Sequence, residues 1–180
     1  MVNPVRNVIL IGFMGTGKSS TGKMLASRLG CAFIDMDVKI EEEAGMPIPE
    51  IFAKYGEEHF RQLEHELALR LASRRNAVIS TGGGTVKNPE NMAALKQSGT
   101  IVCLKASVEA VLERTQARGT RPVLDGADKG DRREAVEKLL RERASLYEQA
   151  DFAVDTSNLS PLQVVETITK TLKIRGVLHA

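Results

Sequence analysis

The chain has 180 residues, a length that suits one domain with a hydrophobic core of its own. With 42% hydrophobic and 27% charged residues, its composition excludes intrinsic disorder and fibrous repeats. The net charge of +2 is too small to indicate nucleic acid binding, and no basic run with interleaved aromatic residues occurs. No apolar stretch approaches the roughly 20 residues that a membrane span needs. The sequence therefore predicts a single domain, residues 1–180, without nucleic acid or membrane partners.

The residues before the first predicted strand leave no room for a signal peptide, so we expect none. Cys31 and Cys103 stand in apolar surroundings without C-x-x-C spacing, which favours buried, inert thiols and a cytoplasmic protein. The three histidines, His59, His65 and His179, form no zinc-binding pattern. We therefore expect no dedicated protein metal cage.

Apolar segments alternate with amphipathic segments along the whole chain, which is the pattern of a parallel sheet of buried strands with helical crossovers. The predicted strands are Asn7–Gly12, Ala32–Asp35, Ala77–Ser80, Thr100–Leu104 and Phe152–Asp155. The predicted helices are Lys18–Leu29, Val38–Ala44, Ile48–Tyr55, Glu57–Ser73, Pro89–Gln97, Ser107–Arg114, Asp131–Gln149 and Pro161–Lys173. The sequence therefore predicts an α/β fold.

Two stretches interrupt this alternation. Residues 40–73 are helical over more length than one crossover needs, which predicts a small helical lobe at 36–75 that would bind the substrate. Residues 115–130 are rich in Gly, Arg and Asp, and so long a loop inside one domain is either a functional lid or disordered. We favour the lid.

The segment Gly12–Ser19 has the spacing G-x-x-x-x-G-K-[ST] between a buried strand and a helix. Glycines let successive backbone N–H groups surround a phosphate, and the helix N-terminus adds partial positive charge. Lys18 would bridge the outer phosphates and the Ser19 hydroxyl would bind Mg²⁺. The alternative is a glycine-rich turn that only joins a strand to a helix. The buried strand before the segment and the helix after it favour a site for a nucleoside triphosphate. The predicted nucleotide-binding residues of this segment are Gly15, Thr16, Gly17, Lys18, Ser19 and Ser20.

Asp35 and Asp37 stand where the second predicted strand ends, at the edge of an open α/β sheet where ligands bind. Residues i and i+2 of a strand share a face, so we expect both carboxylates on one side. One would reach Mg²⁺ while the other accepts hydrogen bonds from a substrate hydroxyl. The alternative is that they only cap the following helix.

Arginines occur at three further points of interest. Arg61 has Glu57 and Glu64 at helical spacing, and Arg143 lies in a charge-dense helix, so a surface ion pair is the favoured interpretation of each taken alone. Arg121, in the predicted lid, would bring positive charge onto a transferring phosphate, or belong to a solvated basic loop.

Gly82-Gly83-Gly84 follows the third predicted strand. Three successive glycines cost backbone entropy, so the chain needs close approach or positive φ there. The position just beyond the carboxyl end of a strand favours contact with a ligand over a simple tight turn.

Together these pieces resemble the shikimate kinase family over nearly the whole chain. The resemblance rests on the phosphate-binding loop at residues 12–19, Asp35-Met36-Asp37, Phe60-Arg61 with Glu64, Gly82-Gly83-Gly84, Arg121-Pro122 and residues 143–147. It implies transfer of the ATP γ-phosphate to the 3-hydroxyl of shikimate. It also implies a three-layer P-loop NTPase fold with a five-stranded parallel sheet, a helical substrate lobe and a lid.

The resemblance further assigns roles to residues. It implies that Asp37 contacts the shikimate hydroxyls, as base or only as orienting group, and that Lys18, Asp37 and Arg121 form the catalytic set. Arg61 and Arg143 would bind the shikimate carboxylate near Gly83 and Gly84. Asp35 would lie near Mg²⁺ beside Ser19. Arg114 and the loop at residues 155–157 would border the adenine. A monomer is expected.

Three alternatives stay open at this point. A kinase of the same fold acting on gluconate also needs groups for a carboxylate and hydroxyls. A nucleoside monophosphate kinase would need arginines for a phosphate. A catalytically silent nucleotide-binding module would have lost site residues that this sequence retains.

Overall fold

The computed structural model describes residues 6–115 and 129–178, and side chains in the helix that begins at Lys129 are described from Arg132 onward. The five strands are β1 (Asn7–Gly12), β2 (Ala32–Asp35), β3 (Ala77–Ser80), β4 (Gly99–Lys105) and β5 (Phe152–Asp155). The helices are α1 (Lys18–Leu29), α2 (Met36–Ala44), α3 (Ile48–Tyr55), α4 (Glu57–Ala72), α5 (Pro89–Ser98), α6 (Val108–Thr115), α7 (Lys129–Tyr147) and α8 (Pro161–Ile174), with a 3₁₀ turn at Thr85–Lys87.

The strands form one parallel sheet in the order β2-β3-β1-β4-β5. Alternate β1 residues face opposite layers, which makes the fold a three-layer sandwich. Ile9 and Ile11 pack into a core shared with α2–α7, whereas Val8 and Leu10 pack against α1 and α8. The predicted α/β class and five-stranded parallel sheet are thereby confirmed. Among the described residues, no helix is long and apolar enough to cross a membrane.

The prediction of uniformly buried strands is wrong for the two edges. Every residue of β1 and β3 is buried, whereas β2 and β5 are mostly half-buried or exposed. β2 and β5 each have a neighbour on one side only, so part of each edge strand faces solvent. For the same reason Cys31, immediately before β2, is only half-buried, while Cys103 in β4 is fully buried. Burial raises the pKa of both thiols, which fits the expected inertness.

Helix ends differ from the predicted ones by one or two residues. The largest consequence is at α2, which begins at Met36 rather than Val38. Asp35 is the N-cap residue, and its side chain accepts a hydrogen bond from Val38 N at 3.2 Å. The predicted lobe, residues 36–75, contains α2, α3 and α4.

Candidate active site

The loop between β1 and α1 has the backbone geometry of a phosphate cradle. Gly15 and Gly17 have φ values of +78° and +85°, which L-residues rarely adopt. A Cβ on Gly15 would also lie 2.9 Å from Thr115 Cγ2. Both glycines are therefore required by the turn itself. The loop leads into the N-terminus of α1, where backbone N–H groups favour an anion.

Lys18 lies within this loop rather than in solvent. Its side chain is buried, and Nζ donates hydrogen bonds to Gly12 O at 2.7 Å and Phe13 O at 3.0 Å. Thr16 Oγ1 donates to the same Phe13 carbonyl at 2.7 Å. The ammonium group is thus held against the backbone of the loop.

Ser19 and Asp35 are joined by a hydrogen bond at the mouth of the loop. Ser19 Oγ donates a hydrogen bond to Asp35 Oδ2, while Asp35 Oδ1 caps α2. Asp35 therefore both caps α2 and lies beside Ser19. A hydroxyl and a carboxylate are ligands that Mg²⁺ accepts, with nucleotide phosphates and water as the others. Among the described residues no cluster of three or more His, Cys, Asp or Glu side chains forms a metal site.

Asp37 is placed at the site by a helix rather than by the strand that the sequence predicts. The strand ends at Asp35, so Asp37 lies in the first turn of α2 and the shared-face argument is wrong. A Cβ on Gly82 would lie 2.8 Å from Asp37 Oδ1 and 2.9 Å from Glu64 Oε2. Gly82 therefore lets two carboxylates from different helices approach the same turn.

Arg61 is tied to two carboxylates of α4. Nη1 donates to Glu64 Oε1 at 3.0 Å, and Nη2 donates to Glu57 Oε1 at 3.3 Å. Both ion pairs considered from the sequence exist, but Glu64 is buried and also accepts a hydrogen bond from Thr85 Oγ1 at 2.9 Å. The pair with Glu57 is an exposed surface pair, whereas the pair with Glu64 is partly buried. A Cβ on Gly84 would lie 2.6 Å from Arg61 Nη1, so the glycine and the arginine are in direct contact.

Arg143 lies in α7 and is 4% exposed. Nη1 donates to Gly83 O at 2.9 Å, and Cζ lies 5.5 Å from the centroid of the Phe13 ring. Among the described residues no carboxylate pairs with it, in contrast to Arg61. One turn further, burial raises the pKa of Tyr147 to about 12, although the neighbouring Arg143 acts in the opposite direction.

Arg114 joins the loop to the opposite end of the cleft. Nη1 donates to Gly15 O at 3.1 Å and Thr156 Oγ1 at 3.0 Å, and Nη2 donates to Thr156 O at 2.8 Å. Ser157 donates hydrogen bonds to the Asp155 carboxylate, which lowers the pKa of Asp155. Arg114 and residues 155–157, predicted to border the adenine, therefore do lie together.

These residues surround a cleft of about 390 Å³. Its lining includes Gly15, Thr16, Gly17, Lys18, Ser19, Ser20, Asp35, Asp37, Gly83, Arg114 and Thr156. Three further residues lie next to this lining. Arg143 contacts Gly83, and Arg61 contacts Gly84. Arg121 lies outside the described residues, as does most of the predicted lid: Thr115 ends α6 and Lys129 begins α7.

Sequence reasoning did not assign a role to Thr85 or Phe13, and it included Thr156 only as part of the loop at residues 155–157. Glu64 was noted only as part of a motif and as a possible partner of Arg61. Their partners are far away in the sequence, so local spacing carries no signal for them. The exception is Glu64, whose i,i+3 spacing from Arg61 predicts the ion pair.

Comparison with known proteins assigns the family. The family model described as "Shikimate kinase" matches residues 14–173. The chain belongs to the shikimate kinase family. A shikimate kinase of Thermodesulfovibrio yellowstonii is 45% identical over 166 residues, which cover 92% of this chain and 94% of that protein. The predicted family is therefore confirmed.

Solved structures agree with this family. A shikimate kinase from Acinetobacter baumannii, in complex with shikimate, has a TM-score of 0.91 and 34% identity, and the match covers 96% of each chain. A gluconokinase from Sinorhizobium meliloti has a TM-score of 0.55 and 18% identity over 96% of this chain and 98% of that chain, which shows a shared fold alone. The gluconate alternative is therefore not favoured over membership of the shikimate kinase family.

Proposed function

We propose that this chain transfers the γ-phosphoryl group of ATP to the 3-hydroxyl of shikimate. The observation that carries the proposal is the meeting of Asp37, Arg61 and Arg143 around the glycine triplet, next to a complete phosphate-binding loop. Shikimate has one carboxylate and several hydroxyls. Planar guanidinium groups suit the carboxylate, and an aspartate suits the hydroxyls as acceptor.

At the nucleotide end, the N–H groups of residues 15–20 would surround the phosphates, and Lys18 would neutralise charge on the transferring group. In-line phosphoryl transfer depends chiefly on such positioning and charge neutralisation. Arg114, held between Gly15 and Thr156, would border the adenine.

Ser19 and Asp35 would hold Mg²⁺, with Ser19 as direct ligand and Asp35 bound directly or through water. Their oxygens already lie within hydrogen-bond reach, which supports a shared ion. When bound, the metal would neutralise charge on the nucleotide phosphates. Replacing Asp35 by Asn should raise the Mg²⁺ concentration for half-maximal activity, and an unchanged Mg²⁺ titration would remove Asp35 from this role.

At the acceptor end, Asp37 would accept a hydrogen bond from the reacting hydroxyl, and Arg61 and Arg143 would bind the carboxylate. A loose phosphoryl-transfer transition state releases the hydroxyl proton late, so Asp37 would mainly orient the nucleophile. Arg121 completes the proposed set as the lid arginine, on the family resemblance alone.

We also propose that the protein acts as a monomer in the cytoplasm. The free thiols of Cys31 and Cys103 support a reducing compartment. Size-exclusion chromatography with light scattering tests the first expectation, and fractionation of the source cells tests the second.

The first test is an ADP-release assay with Mg²⁺-ATP and four conditions: shikimate, gluconate, a nucleoside monophosphate, or water alone. We expect release with shikimate and only background release with the others. Gluconate-dependent release in place of shikimate-dependent release would assign the enzyme to the other acceptor. Tight ATP binding without any acceptor-dependent release would favour a silent nucleotide-binding module.

A further inference from the structure

Phe13 belongs to the nucleotide-binding loop, yet its ring contacts the acceptor end of the cleft. The ring is 2% exposed, and the Arg143 guanidinium carbon lies 5.5 Å from its centroid. The backbone of the same residue accepts the hydrogen bonds of Lys18 and Thr16. Phe13 therefore touches both halves of the site.

Among the described residues, few other contacts hold the Arg143 guanidinium in place. It is a nearly buried cation that donates a hydrogen bond to Gly83 O and neighbours the Tyr147 hydroxyl, and it has no carboxylate partner among residues 6–115 and 132–178. Arg61, by contrast, is fixed by two carboxylates and also lies over a ring, that of Phe60 at 5.1 Å. An aromatic face attracts a guanidinium group and restricts its plane, most strongly where water is excluded.

We propose that Phe13 is a positioning residue for the acceptor: its ring fixes the plane of the Arg143 guanidinium so that this group can bind the shikimate carboxylate. The proposal rests on the proposed function. It differs from a purely structural role, in which Phe13 would fill volume in the core and any loss would follow from lower stability.

The decisive variant is Phe13→Leu, which keeps an apolar, buried side chain and removes the ring. We expect the KM for shikimate to rise about five- to thirtyfold, the upper value being that for loss of a fully desolvated cation–π contact. The KM for ATP and kcat should change less than twofold, because the backbone contacts of residue 13 remain. If Phe13→Leu lowers Tm appreciably, the same kinetic test is made with Phe13→Met, whose longer side chain fills more of the volume of the ring.

Phe152→Leu is the matched control. Arg175 lies over the Phe152 ring at 5.6 Å, a contact of the same type in the edge strand β5. This variant should leave both KM values unchanged. A second control is the Arg143→Ala background, in which Phe13→Leu should have no further effect on kcat/KM for shikimate.

Three results would overturn the proposal: an unchanged shikimate KM in Phe13→Leu, an equal rise in the KM for ATP, or an undiminished effect in the Arg143→Ala background. If the wild-type chain does not phosphorylate shikimate, the proposed function fails instead. The positioning role is then read from the guanidinium N–H signals of Arg143 by NMR. Broadening of these signals in Phe13→Leu supports the role, and unchanged signals refute it.

Discussion

Gly84→Ala tests the geometry of the acceptor end with one methyl group. Gly84 has φ −105° and ψ 3°, which alanine also adopts, so the backbone itself gains no strain. The added Cβ would lie 2.6 Å from Arg61 Nη1, 2.8 Å from Nη2 and 2.9 Å from Cζ. The guanidinium must therefore retreat by about 1 Å to reach ordinary van der Waals separation.

The expected loss is catalytic rather than structural. A charged hydrogen bond contributes about 1.5 to 3 kcal/mol, so misplacing Arg61 should lower kcat/KM for shikimate about 10- to 100-fold. The Arg61 side chain is 28% exposed and can move towards solvent, so the free energy of unfolding should fall by less than about 1 kcal/mol. The KM for ATP should stay close to the wild-type value.

Steady-state kinetics with each substrate varied, together with urea unfolding, separates these quantities. The control is the double variant with Arg61→Ala. If Gly84→Ala acts through Arg61, its effect disappears in that background. Unchanged shikimate kinetics, or a loss that adds fully to that of Arg61→Ala, would refute the reasoning.

Other residues give sharp expectations. Lys18→Ala should raise the activation barrier for kcat by several kcal/mol while the fold stays intact, because the Lys18 charge stabilises the transferring phosphate; wild-type turnover in the folded variant would contradict this. Arg143→Ala should weaken shikimate binding in calorimetry more than Arg61→Ala, since two glutamates already offset the Arg61 charge; the reverse ranking would be inconsistent with it. The folded-state pKa of Tyr147 is raised from 10.0 to about 12, so the stability that this group contributes is present below pH 10 and is lost as pH rises towards 12. In urea unfolding, Tyr147→Phe should remove about 3 kcal/mol of the decrease in the free energy of unfolding between pH 10 and 12. Tyr55→Phe, at an exposed position, should leave that decrease unchanged.

Local sequence signals predicted the elements well because each has its own signature. Apolar runs flanked by glycine or polar residues gave strand bounds that match within one residue at either end. Helix starts with Asn88 and Ser160 as N-caps are observed, and Ser160 forms a complete capping box with Gln163. Burial of strands was predicted less well, because the position of a strand in the sheet depends on the order of crossovers rather than on its own residues.

The site shows the same division between local and long-range information. The phosphate-binding loop and the Arg61–Glu64 pair follow from spacing within one segment. Asp37 lines the cleft from the first turn of α2 rather than from a strand, since a two-residue error in the start of α2 exchanges strand geometry for helix geometry. The contact of Phe13 with Arg143 joins residues from opposite ends of the chain, and no periodicity indicates it.

The charges at the acceptor end explain why glycine is needed there. Asp37, Glu57 and Glu64 carry three negative charges against the two positive charges of Arg61 and Arg143, so these groups together do not attract an anion by their net field. Binding of a carboxylate must come from short, directed contacts with the guanidinium groups, which require correct placement within fractions of an ångström. Glycines 82 and 84 permit that placement, because a Cβ at either would collide with the carboxylates or the guanidinium. In the proposed function, close packing around the triplet, rather than overall charge, would therefore select the acceptor.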